Sequence, residues 1–259
     1  MTGAAIDLIT SRENLWLKRL RKLAQDSAEY RQAGHVWLEG DHLCRALLAR
    51  GGSPQVAVFA QSLWPQVPTE LASAAPRNIV LPDALFEGVS GLPSPARMGF
   101  VVGLPEAPAL DAAAPTVILD RVQDAGNVGA ILRSAAAFGF TQVVALQGTA
   151  AVWSPKVLRA GMGAHFGLRL LDGVQAEVLA QLSVPLVTTS SHGGTLLHGA
   201  DLPWPCAWAF GHEGQGVGPE VAALAGLAVR IAQPGGEESL NVAAAAAICL
   251  HASAIGRAG

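Results

Sequence analysis

Thr116-Val-Ile-Leu-Asp-Arg-Val-Gln-Asp-Ala-Gly-Asn-Val-Gly-Ala-Ile-Leu-Arg-Ser-Ala-Ala-Ala-Phe-Gly-Phe-Thr-Gln-Val-Val-Ala-Leu146 reads as strand, helix and strand. Thr116-Val-Ile-Leu119 is apolar throughout, Val128–Phe138 reads as a helix closed by Gly139, and Gln142–Leu146 is a second apolar strand. Strands of this kind, separated by helices, belong in a parallel sheet covered on both faces. The pattern continues with strands at Pro185–Thr189, Cys206–Phe210 and Ala228–Ala232 and a final helix from about Leu240 to Ile255. The expected class is therefore α/β, with residues 116–259 as one domain.

On the N-terminal side, Pro105-Glu-Ala-Pro-Ala-Leu-Asp-Ala-Ala-Ala-Pro115 reads as a linker, and residues 1–104 as a small α/β domain of their own. Its strands are expected at His35–Leu38, Gln55–Ala60, Asn78–Leu81 and Gly99–Leu104, with helical turns near Glu70–Ala74 and Asp83–Glu87. Asp41 is a candidate N-cap for a helix ending at Gly51-Gly52. Arg12, Lys18, Arg19, Arg21 and Lys22 face one acid, Glu13, on a helix whose apolar stripe is Trp16, Leu20 and Leu23. Such a face is either simply solvated or a surface for phosphates.

Composition sets the outer bounds. Of 259 residues, 51% are hydrophobic and only 14% charged, against roughly 25% in ordinary soluble domains. The mean hydropathy is +0.35, yet the longest apolar run, Val242 to Leu250, falls far short of the roughly 20 residues that span a bilayer. Met1–Thr10 lacks the basic and apolar regions of a secretory signal, so the cytoplasm is the expected location. Cys44, Cys206 and Cys249 are scattered and odd in number, which argues against both a disulfide framework and a zinc site. A net charge of −3 excludes a strongly basic nucleic-acid coat but leaves room for a local RNA-binding patch.

Ligands of open parallel sheets bind beyond the carboxyl ends of the strands, and three segments put unusual residues there. In the first, Asp120 to Gly129, Asn127 stands where an N-cap is wanted, and Arg133 follows on an otherwise Ala-rich, apolar helix. An isolated guanidinium there needs an ion-pair partner or an anionic ligand. The second is Phe210-Gly-His-Glu213-Gly-Gln-Gly-Val-Gly218, with Pro219 at a helix N1 position. Pro219 occupies the place of the third glycine of GxGxxG, which weakens a dinucleotide reading; Glu213 is either a general base or a loop-bracing acceptor. His212 has no second His or Cys at metal spacing. The third runs from Ile231 to Val242, with Ser239 as the expected N-cap and Asn241 free to turn its amide toward a substrate. No Gly-x-Ser-x-Gly elbow marks a nucleophilic serine.

Taken in order, Asn127-x5-Arg133, Gly-x-Glu213-Gly and Glu-Ser239-Leu-Asn241-Val resemble the three motifs of the SpoU/TrmH family of the SPOUT class, over roughly residues 114–257. Ser154-Pro-Lys156-Val-Leu-Arg159-Ala-Gly-Met-Gly163-Ala is similar to the family's stretch between motifs one and two. Ala232-Gln233 departs from a Pro-Met pair common in the family, and Gly161 from a common serine.

The resemblance implies a parallel-sheet SPOUT domain with a trefoil knot, preceded by a small α/β substrate-binding domain. It implies transfer of a methyl group from S-adenosyl-L-methionine (AdoMet) to a ribose 2′-hydroxyl of RNA, without a metal. The RNA would be ribosomal (23S rRNA), with tRNA the alternative; a catalytically silent RNA-binding protein and a nucleotide-dependent oxidoreductase are the rival classes. By the same resemblance Asn127, Arg133, Glu213, Ser239 and Asn241 surround the reacting ribose. Thr188, Thr189, Ser190, Gly211, Ile231 and Leu240 line the AdoMet site, and Arg12, Lys18, Arg19, Arg21, Lys22 and Arg159 meet RNA. The family's usual state implies a homodimer, which accords with only seven Lys/Arg and ten Asp/Glu in residues 111–259.

Overall fold

The computed structural model describes residues 5–91, 95–190, 193–235 and 239–256. Contacts divide the chain into two compact units: Met1–Glu106 with Trp153–Phe166, and Ala107–Val152 with Gly167–Gly259.

The first unit is built on a five-stranded mixed sheet. Along the chain come β1 (Ala5–Leu8), α1 (Leu15–Gln25), α2 (Glu29–Ala33), β2 (His35–Glu39), α3 (Asp41–Ala49), β3 (Val56–Ala60), α4 (Thr69–Ala72), β4 (Arg77–Leu81), α5 (Asp83–Glu87) and β5 (Met98–Gly103). The sheet order is β1-β4-β3-β5-β2; β1, β4 and β3 run parallel, while β5 is antiparallel to both β3 and β2. Helix α1 starts at Asn14, whose side chain accepts from the backbone N–H groups of Trp16 and Leu17, and buries Leu17, Leu20, Leu23 and Ala24. The buried stripe is thus set on Leu17 rather than Trp16, which is only half-buried. Gly40, not Asp41, occupies the cap of α3; Asp41 lies in its first turn, bonded to Arg45.

The second unit holds β6 (Thr116–Asp120), α6 (Ala125–Ala137) and β7 (Gln142–Leu146). After them, α7 (Pro155–Gly161) groups with the first unit. The chain then forms β8 (Arg169–Val174), β9 (Leu186–Thr189), β10 (Thr195–Leu196), β11 (Ala207–Gly211), α8 (Pro219–Ala222), β12 (Leu227–Arg230) and α9 (Val242–Ile255). The seven strands follow the order β10-β12-β9-β11-β6-β7-β8, and every pair is parallel.

β6, β7 and β11 are buried along their whole length, as runs apolar on both faces require. On one side Ile118, Val144, Leu171, Leu186, Ala209 and Val221 form a core cluster. Helices α6 and α9 pack together, and Phe138 meets the His251 ring edge-on at 5.4 Å. Trp208 of β11, fully buried, donates its indole N–H to the Ser253 hydroxyl of α9 at 2.9 Å. This bond satisfies a donor that would otherwise be stranded in the core. All three cysteines are free and buried, and burial raises the thiol pKa of Cys206 to about 11 and of Cys249 to about 12.

A polar cluster at the carboxyl end of the parallel sheet

β11 lies between β6 and β9, with β12 on the far side of β9, so the loops after these strands emerge at one end of the sheet. The loop after β6 turns into α6 at Asp124, whose carboxylate accepts from the backbone N–H of Asn127 at 2.8 Å. Asp124 is therefore the N-cap, and the cap expected at Asn127 is displaced by three residues. Asn127 sits in the first turn with its side chain released, and its Nδ2 donates to Glu213 Oε1 at 3.1 Å. The same oxygen accepts from the Asp124 backbone N–H at 3.1 Å, and Oε2 from that of Gln123 at 3.2 Å.

The third loop joins the cluster through Asn241. Its Oδ1 accepts from the N–H groups of Ala243 and Ala244 at 2.9 and 3.2 Å, so Asn241 caps α9 in place of the expected Ser239. Its Nδ2 donates to Asn127 Oδ1 at 2.9 Å. The backbone donors of α9 thus fix the Asn241 amide, Asn241 fixes Asn127, and Asn127 gives its N–H to the carboxylate. Every hydrogen in this chain points the same way, toward Glu213. Neither amide can be flipped without setting donor against donor.

Burial pushes the Glu213 pKa up, but hydrogen bonds from Asn127 and from backbone N–H groups outweigh it and hold the carboxylate below its ordinary value of 4.5. A carboxylate stabilised in this way is a weak base. Of the two roles open to Glu213, the geometry favours bracing: it ties the first-motif backbone to the 211–218 loop.

That loop needs its glycines. A Cβ on Gly211 would stand 2.0 Å from the carbonyl carbon of Gly216, because the chain doubles back through a bridge between His212 and Gly216. Gly216, at φ +69°, donates to the His212 carbonyl at 2.8 Å, and the Gly214 N–H bonds to His212 Nδ1 at 3.0 Å. On the β6 side, buried Asp120 accepts from the Gly218 N–H at 2.6 Å.

The remaining expected site residues divide. Thr188 and Thr189 end β9 in register with Ala228 and Val229, the Ser190 N–H bonds to the Val229 carbonyl at 2.9 Å, and Ile231 follows directly after β12. With Gly211 they occupy the ends of three adjacent strands. Leu240 is exposed immediately before Asn241, and Ser239 is exposed with no hydrogen bond among the described residues; Glu238 of the third motif lies outside them. Arg133 is exposed on α6, without an ion-pair or hydrogen-bond partner among the described residues. Six residues beyond Asn127, it is about 9 Å further along the helix and about 120° around it. The structure thus gathers Asn127, Glu213 and Asn241 and leaves the guanidinium unengaged.

The other expected RNA contacts lie in the first unit. Lys18 pairs with Glu13, Lys22 with Glu29, and Arg21 donates to the Gly88 carbonyl, whereas Arg12 and Arg19 are exposed without a described ion pair. Arg159 lies in the last turn of α7. Sequence reasoning missed Asp124 as the cap and the pair Asp120–Arg121; no pattern of residue types announces a strand-end arginine at φ +59°.

Residues 114–251 match a family model described as the SpoU rRNA methylase family. The chain belongs to that family. As a SpoU-family member it is 30% identical over 249 residues to the 23S rRNA (guanosine(2553)-2′-O)-methyltransferase RlmP of Bacillus subtilis, covering 94% of this chain and 97% of the relative. A TrmH-family protein from Porphyromonas gingivalis has a similar structure, with a TM-score of 0.80, 30% identity and coverage of 93% and 98% of the two chains. An AdoMet-bound rRNA methyltransferase from Sinorhizobium meliloti shares the fold at TM-score 0.83 and 24% identity, over 96% and 97%. The SpoU match spans all three loops of the polar cluster.

Proposed function

We propose that this SpoU-family chain transfers a methyl group from AdoMet to a ribose 2′-hydroxyl of 23S rRNA. The observation that carries the reading is the one-way chain Asn241–Asn127–Glu213, which ties all three motif loops into one polar cluster. The likeness to RlmP along nearly the whole chain supports ribosomal RNA as the substrate.

The strand-end site suits AdoMet. Gln233, two residues beyond Ile231, buries an Oε1 that has no hydrogen-bond donor among the described residues, an acceptor available to a ligand's amino or hydroxyl group. Thr188, Thr189, Ser190, Gly211, Ile231 and Leu240 are its proposed lining. When bound, AdoMet supplies the electrophilic methyl group of a sulfonium.

The chain's own residues then orient the acceptor. Asn127 and Asn241, fixed by their neighbours, and Ser239, exposed beside them in the chain, present polar atoms to a ribose. Arg133 holds the adjoining phosphate and stabilises the negative charge that develops on the 2′-oxygen as it takes the methyl group, the hydroxyl proton passing to solvent water. A guanidinium with pKa above 12 is suited to that electrostatic role rather than to deprotonation. Arg12 and Arg19 in the first unit, and Arg159 on α7, contribute phosphate contacts.

A homodimer in the cytoplasm, with the knotted topology of the class, completes the proposal. Its support is the outer face of α9, where Ala244, Ile248, His251 and Ile255 are exposed at helical spacing, Ile248 and Ile255 by 41% and 58%. Sedimentation at micromolar concentration should find a dimer; a stable monomer refutes that part. The substrate is tested by mapping 2′-O-methyl groups in a deletion strain. One missing methyl in 23S rRNA is expected, and a missing methyl confined to tRNA overturns the assignment.

A further inference from the structure

Arg121 is one of two described non-glycine residues with positive φ, at +59°. A side chain in the left-handed region is disfavoured where glycine would be free, so an arginine there invites a functional explanation. All three nitrogens of its guanidinium donate a hydrogen bond. Nε and Nη2 grip Asp120 Oδ1 and Oδ2 at 2.9 and 3.2 Å, and Nη1 donates to Gln215 Oε1 at 3.1 Å. Its backbone N–H is held by the Thr149 hydroxyl, which in turn donates to the Leu119 carbonyl. Asp120, thus fixed, receives the Gly218 N–H. The fit is close: a Cβ on Gly218 would stand 2.8 Å from Arg121 Nη2, and one on Gly148 3.0 Å from Arg121 Cγ.

The loop that carries Glu213 is therefore fastened at Gln215 and at Gly218, both through Arg121 and Asp120. Glu213, between Gly211 and Gln215, is the acceptor that holds Gln123, Asp124 and Asn127. We propose that Arg121 is a positioning residue for methyl transfer, latching the 212–218 loop through Asp120 and Gln215 so that Glu213 fixes Asn127. It touches neither substrate nor cofactor. The proposal rests on the methyltransferase reading given above and adds to it a part of the machinery outside the family motifs.

Arg121→Gly is the informative variant, because glycine accepts φ +59° without strain and removes only the side chain. The single-turnover methyl-transfer rate should fall about ten-fold or more, while KM for RNA and its salt dependence stay within two-fold. Hydrogen exchange at the Gly218 amide should quicken at least ten-fold. Gln215→Ala should move both readouts the same way by less. Arg121→Lys should restore less than half the lost rate, since one ammonium cannot grip a carboxylate in two places and reach a second partner.

A normal rate in Arg121→Gly overturns the proposal, as does a loss expressed wholly in RNA KM and salt dependence, which would make Arg121 an RNA ligand. Slowed transfer with unchanged exchange at Gly218 overturns it too, because the loop would then not be what the residue controls. A wild-type chain that methylates no RNA sinks the methyltransferase reading separately, and amide exchange still decides whether the latch exists.

Discussion

Replacing Glu213 by glutamine keeps the shape of the side chain and reverses one of its ends. The carboxylate accepts three hydrogen bonds, from Asp124 N–H and Asn127 Nδ2 on Oε1 and from Gln123 N–H on Oε2. A glutamine carbonyl can keep the first two, but its NH2 then faces the Gln123 N–H, donor against donor. Turning the amide over spoils two bonds instead of one, and Asn127 cannot adapt because Asn241 already occupies its oxygen. A lost bond at an exposed position costs about 1 kcal/mol, and losing the charge from the other two about 1 kcal/mol more. At 1.36 kcal/mol per factor of ten, about 2 kcal/mol is roughly a 30-fold loss if the whole sum falls on the reacting arrangement. The assay is single-turnover transfer of tritiated methyl from AdoMet to an rRNA fragment, with AdoMet affinity measured alongside. A rate within two-fold of wild type refutes the idea that this chain of bonds sets the geometry. A loss beyond about 10⁴ refutes it in the other direction, since that size belongs to removal of a general base.

The same carboxylate gives stability a pH dependence. Its folded pKa lies below its ordinary 4.5, so its contribution is complete above that value and lost as pH falls through the lower folded value. The Tm gap between wild type and Glu213→Gln should hold constant from about pH 7 to pH 5 and close in more acid solution; a gap that widens there contradicts the sign. Arg133→Ala should leave folding and AdoMet affinity intact and lower methyl transfer by about 10²–10³, with little rescue by lysine; loss of AdoMet binding would make the residue structural. Charge reversal at Arg12 and Arg19 together should reduce the salt slope of RNA binding by about 2, whereas Lys18 and Lys22, already paired, should contribute less; equal effects would refute that ranking. Ser253→Ala strands the buried Trp208 indole N–H and should cost about 1–3 kcal/mol by urea denaturation, with no effect on RNA affinity.

What the sequence disclosed follows from how strongly each element is constrained. Gln142–Leu146 and Asp83–Glu87 are found with the bounds expected, and the other strands read as apolar runs lie within a residue or two of expectation. β8 escaped because Arg169-Leu-Leu-Asp-Gly-Val174 puts two charges and a glycine in a strand at the sheet's edge. Both helix starts near the cluster were misplaced for one reason: several residues able to cap stand close together, and sequence does not say which side chain bends back. At α6, Asp124 wins and frees Asn127; at α9, Asn241 caps with its oxygen and still offers its nitrogen to Asn127. The motif residues were legible through family resemblance. Their connection was not, because it depends on amide directions set by backbone N–H groups far apart in the chain.

The strand order has a consequence for how the chain is made. Both strands that flank β9, β11 and β12, are synthesised after it, and β10 pairs only with β12. A nascent chain emerging up to about residue 200 therefore carries β9 with no strand beside it and β6 with one edge bare, although β6 is buried from end to end in the finished sheet. Bare apolar edges invite pairing with other chains. The middle of the sheet closes only when Ala207–Gly211 arrives, and the same segment ends at the glycine from which the Glu213 loop departs. Translation thus bridges β9 to β6 and begins the Glu213 loop with one stretch of five residues, so a polypeptide released before it would lack that loop and keep both edges bare.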